Sequence, residues 1–425
     1  MHPADRTVLK AFGKLWLKSA QRIAKAQVVQ QKKLQKKLVK SLLPAVKKPH
    51  VAVPRRIAAT KAATKKVAAP RSGKSTAGRS SPSAGRGAAA GAAANAAAGT
   101  RPDSGGNWSR SYHVSPLADS RGRHRRMTYW LFVPHPSGLA AATTAAVVPG
   151  VSGDAVGDSA VRKLPLVVML HGCDQTAEDF ASGTRMNRLA ARHGFAVLYP
   201  QQSASAHAQR CWPWYKRSLQ HGGDEAALVA GMLEKVVARN GFDRSRVYVA
   251  GLSAGAALAQ ALAVQHPRVF AAVGSHSGPV YGVADSRLSA FAVMQAGSRD
   301  AARSATQLLS ERPDFPGMPA LILQGEQDPV VRPVNAGQLV RQFCILNRLA
   351  QDAHETPVLR QARAANDAWR RTDYMQQGRV VVRLCEVTHL AHAWSGGDAS
   401  LRYNAARGPD ASALLWDFFK RQRRR

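Results

Sequence analysis

Ser253 stands between two glycines in Gly251-Leu252-Ser253-Ala254-Gly255, after the run Arg246–Ala250 and before the helix-forming run Ala256–Ala263. A serine hydroxyl becomes a useful nucleophile only when a base takes its proton and an acid orients that base. Strand, tight turn and helix around Gly-x-Ser-x-Gly make the setting in which such a serine is presented at the carboxyl edge of a sheet. The turn strains the serine backbone, and the glycines remove side chains that would collide with the neighbouring strand and helix. A plain structural turn is the competing reading, and the flanking strand and helix patterns weigh against it.

The partners should follow in the order acid, then histidine. The strand-like run Ala320-Leu321-Ile322-Leu323 leads into Gln324-Gly325-Glu326-Gln327-Asp328-Pro329, which places Asp328 just past a strand end. Glu326 is the alternative acid, but the loop position after Gly325 and the following proline favour Asp328. After the run Val380–Cys385 comes Thr388-His389-Leu390-Ala391-His392-Ala393-Trp394-Ser395-Gly396-Gly397, a small-residue loop able to carry a histidine over the strand tips. His392 is preferred as the base, with His389 read as a surface histidine and Asp398 as solvent-facing. His276, near the end of the strand after the elbow helix, is expected to line the substrate pocket. Two N–H groups must meet the oxyanion of a tetrahedral intermediate. Ala254, after the nucleophile, supplies one, and Cys173 in Leu170-His171-Gly172-Cys173 is expected to supply the other; the alternative is that the Gly172 turn only ends a strand.

These residues need strands to carry them. Strand patterns occur at Ser111–Val114, Met127–Val133, Leu164–Leu170, Phe195–Tyr199, Arg246–Ala250, Val269–Ser275, Ala320–Gln324 and Val380–Cys385. Helix patterns occur at Arg185–His193, Glu225–Arg239, Ala254–Gln265, Val334–Leu349 and Asp410–Arg421, the last capped by Asp410. Alternation of this kind predicts an α/β fold with a mostly parallel sheet covered on both faces. Ligands then bind at the carboxyl ends of the strands. Residues 137–159 read as an inserted surface loop.

Charge divides the chain unevenly. Residues 1–100 hold 22 of the 61 Lys and Arg but only one acid, Asp5, of the 26, so +21 of the net +35 lies in the first quarter. Residues 1–46 read as a basic amphipathic helical segment, residues 47–106 as a disordered Ala, Lys, Pro, Ser and Gly linker, and residues 107–425 as the catalytic domain. The arm suits an anionic or apolar surface such as a polymer granule or nucleic acid, or a helix docked on its own domain. Lysines and arginines interrupt every apolar run of the opening, so neither a secretory signal nor a membrane span is expected. Four cysteines fit a reducing compartment, which gives a cytoplasmic expectation. The histidines show no metal-ligand spacing, and Gly73-Lys74-Ser75 lacks the glycine and strand of a phosphate loop, so no metal and no cofactor are expected.

Five separated motifs carry a family resemblance: His171-Gly172-Cys173 with Gln175, Gln201-Gln202, Cys211-Trp212-Pro213-Trp214-Tyr215, the Ser253 pentapeptide, and His392-Ala393-Trp394-Ser395-Gly396-Gly397. Over roughly residues 112–419 the chain resembles the polyhydroxybutyrate depolymerase family of esterases. The resemblance implies an α/β-hydrolase fold and ester hydrolysis through an acyl-enzyme, with Ser253 as nucleophile, His392 as base and acid, and Asp328 as orienting acid. It further implies that Trp212, Trp214 and Trp394 wall the substrate cleft. The substrate would be a hydroxyalkanoate oligomer or polymer. Feruloyl and acetylxylan esters are the alternative, and a third reading is a catalytically weak granule- or DNA-binding protein. Relatives often have histidine where Gln324 stands, a change expected to be tolerated. Exported relatives can bond the first-motif cysteine; Cys173 and Cys211 could pair here, whereas a cytoplasmic enzyme would keep both reduced.

Overall fold

Strands buried at every position, rather than at alternate ones, make the centre of the sheet. In the computed structural model β3 (Leu166–Leu170), β5 (Val247–Leu252), β6 (Ala272–His276) and β7 (Ala320–Gly325) are buried throughout. Strands covered on both faces have no reason to alternate with polar residues. The structure describes residues 105–118, 122, 124–135, 163–349, 355–360 and 368–424. The basic segment 1–46, the linker 47–106 except its last two residues, and the loop 137–159 lie outside the described residues.

The remaining strands are β1 (Gly106–Ala118), β2 (His124–Pro134), β4 (Ala196–Gln201), β8 (Glu355–Arg360), β9 (Trp369–Gln376) and β10 (Arg379–Val387). The sheet order is β1-β2-β4-β3-β5-β6-β7-β10-β9-β8. Pairing is parallel from β4 through β10. It is antiparallel at both flanks. A short parallel pair, β11 (Trp394–Ser395) and β12 (Asn404–Ala405), lies apart from it.

Alternate residues of β3 enter two cores. Leu166, Val168 and Leu170 pack with α3 (Arg217–Gln220), α4 (Asp224–Asn240), α5 (Ala254–Gln265) and α8 (Val334–Leu346) on one face. Val167 and Met169 pack with α1 (Ala177–Thr184), α2 (Met186–His193) and α9 (Ala411–Phe419) on the other. Asp410 caps α9, its Oδ1 accepting from Ala413 N at 3.0 Å. Thr176 and Asp179 form a reciprocal capping box at the start of α1. Strands β8 and β9 were not expected from the sequence, nor were α6 (Arg287–Ala296) and α7 (Arg303–Glu311), which follow β6.

Candidate active site

Strands β5, β6, β7 and β10 are consecutive neighbours, so the residues at their carboxyl ends share one rim of the sheet. Ser253 follows β5 with φ 57° and ψ −119°, a strained conformation for a residue with a side chain. The glycines around it are required by close approach. A Cβ on Gly251 would lie 2.4 Å from the backbone carbon of Gly255, and one on Gly255 would lie 2.1 Å from Leu170 O. Ala254 opens α5, so its N–H has no intrahelical acceptor and sits at the positive end of the helix dipole.

Asp328 and His392 meet. His392 Nδ1–H donates to Asp328 Oδ2 at 2.8 Å, and both side chains are buried. Asp328 Oδ1 accepts from Val330 N and Val331 N, each at 2.9 Å, and Gln324 Nε2 lies 3.3 Å from Oδ2. Burial pushes the Asp328 carboxyl upward, but the His392 charge and hydrogen bond, with the two backbone amides, outweigh it and hold the group below the ordinary carboxylate value. Asp328 is therefore held ionised, and its bond to Nδ1–H leaves the lone pair of the His392 ring on Nε2. Among the described residues no hydrogen bond joins Ser253 Oγ to His392. A catalytic hydrogen bond of this kind commonly forms only in the substrate complex. Glu326 is exposed, and His389 is exposed with Nδ1 2.8 Å from Gln327 Nε2, so neither reaches this pair. Asp398 Oδ1 accepts from Ser400 N at 3.0 Å.

Cys173 follows β3, beside β5. His171 is fully buried, and burial lowers its pKa to about 4. Its Nε2 accepts from Gln202 N at 3.1 Å, which leaves the proton on Nδ1 to be donated to Gly172 O at 2.8 Å. In a trans peptide the carbonyl and the next N–H point in opposite directions. Anchoring Gly172 O on the buried ring therefore turns Cys173 N–H away from the core. Gly172 N donates to Gln175 Oε1 at 2.8 Å, and Trp212 Nε1 donates to His171 O at 2.9 Å. His171, Gln175 and Gln202 were visible only as parts of motifs; their work in holding this loop needed the hydrogen bonds to be seen.

The residues expected to line the substrate site are all buried, Trp212, Trp394 and His276 being 1%, 0% and 1% exposed and Trp214 8%. Trp212 is spent on the His171 carbonyl, while Trp394 packs between Phe180, edge-on at 5.4 Å, and His276, stacked at 5.1 Å. Cys173 and Cys211, whose pairing the sequence left open, form a disulfide across a sequence separation of 38. Cys344 and Cys385 remain free. Among the described residues no cluster of His, Cys, Asp and Glu could hold a metal ion, and no helix is long and apolar enough to cross a membrane. A cavity of about 600 Å³ lined by Lys163, Phe242, Asp243 and Arg424 lies near the amino ends of β3 and β5, away from the catalytic rim.

The parallel centre, the strained serine after β5 and the acid and histidine after β7 and β10 make the arrangement of the α/β-hydrolase fold. Residues 155–365 match the family model described as Esterase PHB depolymerase. The chain is 38% identical over 186 residues to poly(3-hydroxyalkanoate) depolymerase C of Paucimonas lemoignei, covering 42% of this chain and 44% of that one. It is 37% identical over 126 residues to feruloyl esterase B of Neurospora crassa, covering 29% and 42%. The match thus spans less than half the length of these relatives. Among solved structures, acetyl xylan esterase from Aspergillus awamori shares the fold with a TM-score of 0.52 at 18% identity, over 73% of this chain and 99% of that chain.

Proposed function

We propose that the chain is a serine esterase that hydrolyses carboxylic esters through an acyl-enzyme, with hydroxyalkanoate oligomers or polymer as its substrate class. The observation that carries the reading is the 2.8 Å His392–Asp328 bond on the same sheet rim as the strained Ser253. Ser253 Oγ attacks the ester carbonyl as His392 Nε2 takes its proton. The oxyanion is received by Cys173 N–H and Ala254 N–H. Collapse expels the alcohol, which takes the proton from His392, and water repeats the sequence to release the acid and free Ser253. Asp328 stays ionised and stabilises the imidazolium.

Ser253→Ala should lower turnover of a short-chain nitrophenyl ester by about 10⁴-fold or more at unchanged thermal midpoint. Retained turnover rejects the assignment. Similarity to feruloyl and acetylxylan esterases supports a second acyl class, separated by comparing hydroxybutyrate oligomers with feruloyl and acetyl sugar esters. The basic arm is read as a tether to polymer granules or nucleic acid, motivated by its +21 charge. Removing residues 1–106 should abolish that association and leave turnover on soluble esters intact; turnover absent from both forms favours the binding-protein reading.

The cytoplasmic expectation stands in tension with the Cys173–Cys211 bond. Alkylation during cell lysis distinguishes the two. Two reactive thiols on denaturation fit an oxidising compartment, and four fit the cytoplasm.

A further inference from the structure

The serine and imidazole loops follow β5 and β10, with β6 and β7 between them, and the last residue of β6 touches both. We propose that His276 is a positioning residue that ties the nucleophile turn to the histidine loop, its carbonyl holding Ser253 and its neutral imidazole holding the backbone beyond His392. The proposal rests on the esterase reading above.

The carbonyl of His276 accepts from Ser253 N at 2.9 Å. On the other side, Nε2 of the ring accepts from Ser395 N at 3.3 Å, and the ring stacks on Trp394 with centroids 5.1 Å apart and planes 26° from parallel. A backbone N–H only donates, so Nε2 carries a lone pair and Nδ1 the proton. That proton faces Ser277 Oγ at 3.2 Å. Ser277 N in turn donates to Leu323 O at 2.9 Å, on the strand that leads to Asp328.

His392 is thereby clamped from two sides. Asp328 holds its ring, and His276 holds the chain two and three residues further on. Burial first, then the neighbouring His392 charge, push the His276 pKa down to about 3, against an opposing pull from Asp328. Neutrality suits the task. His392 becomes a cation during each half-reaction, and a second cation beside it would oppose that step, whereas a neutral acceptor does not. The sequence placed His276 near the substrate; the contacts assign it to the frame that sets the distance between nucleophile and base.

Two substitutions of His276 in the full chain test this. His276→Phe keeps a flat ring against Trp394 and loses the acceptor; His276→Gln offers an oxygen to Ser395 N–H. With a soluble nitrophenyl ester, His276→Phe should lower kcat about 10- to 100-fold with KM changed less than about twofold. His276→Gln should recover about tenfold of that loss. Wild-type kcat in His276→Phe, or no recovery in a folded His276→Gln, overturns the proposal. If either variant fails to fold, ¹⁵N-histidine spectra of the wild-type chain decide. The Nδ1–H neutral tautomer should persist from about pH 8 to about pH 5. An Nε2–H tautomer, or protonation within that interval, overturns the proposal. A wild-type chain with no ester turnover sinks the esterase reading instead, and the spectra still test the hydrogen bond.

Discussion

The proposed oxyanion loop after β3 and the histidine loop after β10 flank the same serine, yet they are held by different means. The first is locked covalently by Cys173–Cys211 and by buried side chains, with His171 on Gly172 O, Gln175 on Gly172 N and Trp212 on His171 O. The second is held through its backbone, by Gln327 N on Leu390 O at 3.1 Å and Trp394 N on Tyr403 O at 2.8 Å, with Ser395 N on the His276 ring. The difference follows from what each delivers. An oxyanion donor is itself a main-chain N–H, so fixing the chain fixes the chemistry. A general base must exchange a proton with two partners in turn, so it is anchored at Nδ1 and left open at Nε2.

The largest effect expected from this contrast is on the histidine side. Asp328→Asn replaces the acceptor of His392 Nδ1–H and leaves the imidazole without a fixed tautomer, so kcat should fall about 10⁴-fold with KM little changed. Steady-state kinetics on a soluble ester measure it, and a loss below tenfold would mean that the acid does not orient the base. On the oxyanion side, Gln175→Leu removes the acceptor of Gly172 N and should cost about 10²-fold in kcat. Cys211→Ser opens a cross-link closing a 38-residue separation, and urea unfolding should register a loss of about 4 kcal/mol. Its kcat should fall less than that of Gln175→Leu, because the hydrogen bonds of His171 and Gln175 persist.

The smallest test distinguishes the loops by pH. Each is held by a buried neutral histidine, His171 lowered from 6.5 to about 4 and His276 to about 3, chiefly by burial. Both are bases with depressed folded values, so the unfolded chain binds protons that the folded chain refuses. Stability should thus be greatest above about 6.5 and fall on acidification by about 1.4 kcal/mol per pH unit for each group, until its folded value is reached. Asp328, also depressed, adds a further loss only below the ordinary carboxylate value of about 4. His171→Gln should make the urea midpoint less sensitive to pH between about 6 and about 4; an unchanged slope would show that His171 is not buried neutral.

Residue order along the strands made the placement of Ser253, Asp328 and His392 after β5, β7 and β10 legible, because a parallel sheet delivers its carboxyl ends to one rim. Side-chain burial was not legible in the same way. An indole is large, apolar and carries one donor, so Trp212 and Trp394 suit a core or a cleft equally until their neighbours are known. Strand β9 was hidden by its charges. Its Arg370 pairs with Glu386, and its Asp373 takes both Nε and Nη2 of buried Arg383, at 2.6 and 2.9 Å. A strand that answers its charges across the ladder shows no apolar alternation to read. Cysteine number argued for reduced thiols, whereas the motif resemblance had named Cys173 and Cys211 as a pair able to bond, since a low count says nothing about which two meet.

Gly251 and Gly255 carry a consequence for anyone reshaping this catalyst. What crowds them is main chain of the turn itself and of the strand next door, so no neighbouring side chain can be trimmed to make room. A randomised library should return glycine at both positions whatever ester is used for selection. Altered substrate preference would have to come from mutations elsewhere around the mouth.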